Sequence, residues 1–135
     1  MFVLDASVTL AWCFVDESSG LADRILDRLE RDEALAPAIW PLEVANGLRT
    51  AERRGRLDLA DSTRIRDLLG ALPIQVDTIS LDVALGEVTD LARRLELTAY
   101  DAAYVALAAR RGLALATVDD HLRRACELAG VELVA

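Results

Sequence analysis

The apolar positions fall into two kinds of pattern. Short, mainly apolar runs at Phe2-Val3-Leu4, Ala34-Leu35-Ala36, Ile74 to Val76, Leu113 to Thr117 and Val131 to Val134 have the length and composition of strands. Between them, apolar residues recur at helical spacing. Residues 6–14 read as a helix, and residues 18–32 as an amphipathic one in which Leu21, Ile25 and Leu29 stand four apart. A helix over 39–54 is closed by Gly55, and one over 58–71 stops before Pro73. Residues 81–95 are helical, residues 99–111 end at Gly112, and residues 119–129 end at Gly130. Strands alternating with helices predict an α/β domain, a central, mostly parallel β-sheet flanked by α-helices. Right-handed crossovers place every strand-to-helix junction on one edge of such a sheet, where ligand crevices lie. With no linker, repeat or low-complexity tract, residues 1–135 are expected to form one domain.

Composition refines this picture. The hydrophobic content of 53% implies a dense core, yet its apolar runs are too short and too interrupted by charge for a membrane span. The opening MFVLDASV carries an acid and no basic start, unlike a signal peptide, and a cytoplasmic location is expected. Cys13 and Cys126 match no zinc spacing and read as buried, reduced thiols. The single histidine, His121, reads as a surface residue beside Arg123 and Arg124. All 15 basic residues are arginine, which excludes a P-loop and Schiff-base chemistry, since both need a lysine. The net charge of −8 runs against a nucleic-acid partner, unless a metal ion held by the acids faces the phosphate.

Four acids are placed to do that. Asp5 follows the first strand, Glu43 lies early in the helix after Ala36, Asp101 follows Thr98 by three residues, and Asp119 follows the strand ending at Thr117. Taken singly, each has a structural explanation: an N-cap for Asp5 and Asp119, a capping box for Thr98 and Asp101, and a favourable helix-dipole position for Glu43. Taken together, they share one sheet edge, and like charges there repel. Helix N-termini offset only about 0.3–1 kcal/mol each, so the group needs a cation. Oxygen-only ligation favours Mg²⁺, with Mn²⁺ as a substitute. Asp120, beside Asp119, is an alternative fourth acid. Asp23, Asp27 and Glu30 instead sit among Arg24, Arg28 and Arg31 on a solvated helix face.

The stretches around these acids, VLDASV, LEVANGL, TAYDAAYVALA and LATVDDHL, resemble the PIN-domain nucleases, and closely the VapC-type toxins of toxin–antitoxin pairs. The resemblance spans nearly the whole chain and implies a PIN-like fold and a metal-dependent endoribonuclease. It implies that Asp5 and Asp101 are the principal metal ligands, that Glu43 and Asp119 complete the metal sphere, and that Ser7, Asn46 and Thr117 support the acids. It also implies an RNA substrate, a VapB-like antitoxin with a basic tail, and a homodimer. Trp12, Phe14 and Trp40 are candidates for an antitoxin groove or for core packing. Arg53, Arg54 and Arg56, Arg110 and Arg111, and Arg123 and Arg124 are the basic groups available to RNA. A housekeeping RNA-processing nuclease and a PIN module that binds without cutting are the alternatives, though the latter would have lost an acid and none is lost. A phospho-acceptor protein fits less well, since receivers need a lysine and aspartyl phosphatases need D-x-D where this chain has Asp5-Ala6-Ser7.

Overall fold

The computed structural model describes residues 1–135. Its sheet contains β1 (Phe2–Leu4), β2 (Ala34–Ala36), β3 (Ile74–Val76) and β4 (Leu115–Ala116), all parallel, in the order β3-β2-β1-β4. Strands this short hold because β1, β2 and β4 are buried throughout, while β3 is the half-exposed edge. The helices are α1 (Ala6–Cys13), α2 (Gly20–Arg28), α3 (Trp40–Arg53), α4 (Leu59–Ala71), α5 (Leu81–Val83), α6 (Thr89–Leu95), α7 (Ala99–Arg111) and α8 (Asp120–Ala129). The α/β reading of the sequence is therefore what the chain adopts. No helix is long and apolar enough to cross a membrane.

The strand order reverses at β1, with β2 on one side and β4 on the other. A crevice at such a reversal is where open parallel sheets bind ligands. One helix over that crevice, α7, has the bounds its sequence signals predict. The Thr98 hydroxyl accepts the Asp101 amide at 3.1 Å, and Gly112 ends the helix at φ 64°, a conformation that favours glycine. Its Val105, Leu107 and Ala108 are buried in the same core as β1 and β4. Helix α3 crosses α1 at Gly47, where a Cβ would lie 2.6 Å from Leu10 Cδ2, so any larger residue there would oblige the Leu10 side chain to move.

Four elements differ from their expected form. The strand expected over Leu113 to Thr117 is only the two-residue β4. The helix expected over 18–32 is shorter: Val15–Glu17 is a 3₁₀ turn, Ser19 caps α2, and the helix ends at Arg28. Beyond it, Asp32 accepts Arg28 and the Glu33 amide and directs the chain into β2. The helix expected over 81–95 is interrupted by a π turn at Ala84–Val88, where the Thr89 hydroxyl donates to the Ala84 carbonyl at 2.6 Å. Val88 is thereby buried against Ala102 and Ala106. The last strand, expected over 131–134, is a single parallel bridge of Leu133 to Leu115.

Candidate active site

Asp5 ends β1, and its amide still donates to Ala116 of β4 at 3.0 Å. It stands at the N-cap position of α1, but its carboxylate caps no amide. Instead Oδ2 accepts the hydroxyls of Ser7 at 2.5 Å and Thr117 at 2.7 Å, while Ser7 Oγ accepts the Val118 amide and Thr117 Oγ1 the Asp119 amide. Each hydroxyl spends its one proton on Asp5, so the network ties the β1–α1 junction to the β4–α8 junction. The Asp5 residue is 6% exposed. Burial pushes its carboxyl above the usual range, more than the two hydroxyls pull it down.

Asp119 does cap α8, with Oδ1 accepting the amides of His121 and Leu122 at 2.8 and 3.3 Å. Glu43, in the first turn of α3, is half-buried, and its Oε1 accepts the hydroxyl of Tyr104 at 2.7 Å. Asp101, in the first turn of α7, is half-buried. Thr98 caps its amide, but the reciprocal half of the expected capping box does not form, and the Asp101 carboxylate is left free for the crevice.

The four carboxylates are electrostatically connected in a closed circuit. Asp5 feels Asp119, Asp101 feels Asp119, and Glu43 feels both Asp5 and Asp101. Burial first, and this repulsion after it, raise the carboxyls of Glu43 and Asp101 above their ordinary values; His121 opposes the rise at Asp101. Asp119 and Asp120 are both exposed, but Asp119 acts on Asp5 and Asp101 whereas Asp120 is not among the groups acting on Asp5, Glu43 or Asp101. None of the four takes part in an ion pair. Nor do they close into a cage: no three His, Cys, Asp or Glu side chains form a group that could hold a metal ion as they stand. The donor set nevertheless suits a hard cation. It is all oxygen, it is partly buried, and no arginine forms an ion pair with it.

The expected supporting residues divide. Ser7 and Thr117 touch Asp5, whereas Asn46 is exposed one turn along α3 and takes no part in the hydrogen bonds around the acids. Among the basic groups, Arg56 is occupied by Asp16 and Glu17, and Arg110 by Asp77 and Glu87. Arg123 lies nearest the site, donating to the Thr117 carbonyl at 3.2 Å. Trp40 and Phe14 are buried, Trp12 is half-buried, and both indole N–H groups are spent internally, on Thr9 and Ala22. Trp40 packs in the main core with Trp12 against it, and Phe14 lies under the Arg56 guanidinium. Cys13 and Cys126 are free thiols, each pushed up to about 11 by burial. Tyr104 is the site residue that sequence reasoning passed over. Its signal was its spacing, one helical turn after Asp101 and so on the same face of α7.

Comparison with known proteins decides the family. The PIN domain model matches residues 2–128. The chain belongs to the PIN-domain family. A VapC ribonuclease of Mycobacterium bovis is 34% identical over 125 residues, covering 90% of this PIN domain and 88% of the relative. Ribonuclease VapC3 of Pyrobaculum aerophilum is 33% identical over 120 residues, covering 89% and 90%. Among solved structures, PAE2754 of Pyrobaculum aerophilum superposes with a TM-score of 0.70 at 26% identity, covering 92% of this chain and 83% of that one. A chain from a toxin–antitoxin complex of Klebsiella pneumoniae shares the fold with a TM-score of 0.63 at 20% identity, over 88% of this chain and 87% of that one.

Proposed function

We propose that this PIN domain is a metal-dependent endoribonuclease that acts as the toxin of a VapBC-type toxin–antitoxin pair. The observation that carries the reading is the circuit of four carboxylates at the β1/β4 crevice with no basic partner. The VapC ribonucleases it resembles support the choice of RNA as substrate and of an antitoxin as partner.

Asp5 and Asp101 would hold a Mg²⁺ or Mn²⁺ ion, with Glu43 and Asp119 completing its surroundings. When bound, such an ion neutralises phosphate charge and acidifies water. The chain's own contribution is orientation. Ser7 and Thr117 occupy Asp5 Oδ2 and so present Oδ1. The first turn of α8 occupies Asp119 Oδ1 and presents Oδ2. Asp119 Oδ2 or Glu43 Oε2 would orient the water that attacks phosphorus in line and would receive its proton, while the opposite P–O bond breaks and the leaving ribose oxygen takes a proton from solvent. The acidic crevice is also suited to the basic tail of an antitoxin, which would cover the acids.

The test is cleavage of RNA by the purified protein. Activity is expected with Mg²⁺ or Mn²⁺, to disappear with EDTA, and to disappear in Asp101→Asn. Asp101→Asn cutting RNA at the wild-type rate would refute the site. On induction in cells, growth arrest that Asp5→Ala abolishes would support a toxin, and unaffected growth would favour a housekeeping nuclease.

A further inference from the structure

Glu43 is held differently from the other acids. Asp5 is fixed by two hydroxyls and Asp119 by two amides, both close in sequence or joined through β4. Glu43 sits on α3, half-exposed, with a side chain long enough to swing out of the crevice. Its one anchor is the phenol of Tyr104, 61 positions away on α7.

Tyr104 is 0% exposed and is among the largest wholly buried side chains in the chain. A phenylalanine would fill the same volume without burying a hydroxyl, and a buried hydroxyl is costly unless it is bonded. Here the hydroxyl donates to Glu43 Oε1 at 2.7 Å. The same face of α7 presents Asp101 one turn earlier, so one helix supplies one acid directly and restrains a second.

We propose that Tyr104 is a positioning residue for the nuclease reaction, holding Glu43 by Oε1 so that Oε2 is kept for the crevice. Tyr104 touches neither RNA nor the cation and acts only through Glu43. The inference rests on the reading of Glu43 as part of the site.

The experiment is a cycle among Tyr104→Phe, Glu43→Asp and their double variant, with Glu43→Gln as reference. Tyr104→Phe keeps the ring and removes the hydroxyl; Glu43→Asp keeps the charge and withdraws it from the phenol without altering the core. Three quantities are read: kcat, KM for RNA in Mg²⁺, and Mn²⁺ affinity of the RNA-free protein by electron paramagnetic resonance. Each single variant is expected to lose about tenfold to a hundredfold in kcat and to weaken Mn²⁺ binding, as partners that orient metal ligands typically do. KM should stay within about twofold, since ground-state binding of RNA is untouched. The double variant should be no worse than the poorer single one, because both remove one bond. If Tyr104→Phe keeps wild-type kcat and Mn²⁺ affinity while Glu43→Gln is inactive, the positioning role is overturned and the site stands. If the two losses multiply, Tyr104 acts by another route and the proposal is again overturned. If Glu43→Gln cleaves RNA and binds Mn²⁺ like the wild type, Glu43 leaves the site and the proposal falls with it. A Tyr104→Phe protein that does not fold leaves the decision to Glu43→Asp, whose wild-type kcat and Mn²⁺ affinity would overturn the proposal.

Discussion

Two aspartates stand at opposite ends of β1 in opposite surroundings. Beside the start of the strand, Asp32 receives the N-terminal ammonium at 2.6 Å and Arg28 at 2.9 Å. The ammonium and the Glu33 amide hold its carboxyl down at about 2. At the far end, Asp5 is buried without a cation, and burial pushes its carboxyl up. The chain does not lack arginine: it has 15, and six of them pair acids around its periphery. It places none against the crevice acids. A fold serving stability alone would pair a buried carboxylate or replace it, because an uncompensated buried charge costs several kcal/mol. The unpaired charge at one end of β1 is the one we propose for function, and the paired charge at the other serves structure.

The most severe way to break that contrast is Asp5→Asn. Losing several kcal/mol of cation-assisted stabilisation should lower RNA cleavage by about a thousandfold or more. The melting temperature of the metal-free variant should not fall, since the amide keeps the acceptor and sheds the charge. A fall in melting temperature with cleavage intact would reverse the assignment of the two ends.

Next in size is metal linkage. An ion that binds only the folded state stabilises it by about 2.7 kcal/mol at a hundred times its Kd, enough to move the melting point by several degrees. Mg²⁺ should therefore raise the melting temperature of the wild type but not of Asp5→Asn, and EDTA should reverse the rise.

The pH dependence of the metal-free protein should carry opposite signs at the two ends. Asp5, Glu43 and Asp101 have raised carboxyls. Their contribution is most favourable below the ordinary carboxylate pKa of 3.8 to 4.5 and is lost as pH rises through the higher folded values. A carboxyl that binds its proton about tenfold more tightly in the folded chain represents about 1.4 kcal/mol. Asp32 behaves in reverse, contributing stability above 3.8 that is lost as pH falls through about 2. Melting curves from pH 3 to 8 should show the first loss in the wild type and its reduction in Asp5→Asn.

The smallest expected effect is Asp32→Asn. Partly exposed ion pairs contribute little, so the melting temperature at pH 7 should drop by a few degrees at most. Cleavage should be unchanged, and a loss of cleavage there would show that the ends of β1 are not independent.

Much of this was legible from the pattern of residues. The strand at Ile74–Val76 and the helix at Ala99–Arg111 have the bounds that their apolar runs, Thr98 and Gly112 predict, because local signals decide both. The α2 boundary and the π turn were not legible. Asp32 is held by the distant N-terminal ammonium as well as by Arg28, and Ala84–Val88 widens to bury Val88 on α7; the ammonium and the α7 partners are not local in sequence. The segment 131–134 is as apolar as a strand, but it runs beside a two-residue β4 and forms one bridge there.

The site divides along the same line. Residue type and junction position point to Asp5, Glu43, Asp101 and Asp119 as candidates, because strand-helix alternation sends them to one edge of a parallel sheet, and the fold brings them within electrostatic reach of one another. Which hydroxyls occupy Asp5 in place of a helix amide, and which buried phenol holds Glu43, were decided only by folding. Those properties depend on partners 61 and 112 positions apart, a separation no local pattern encodes. The unpaired state of Asp5 belongs to the same class: it is a fact about where arginines are absent in space, not about where acids occur along the chain.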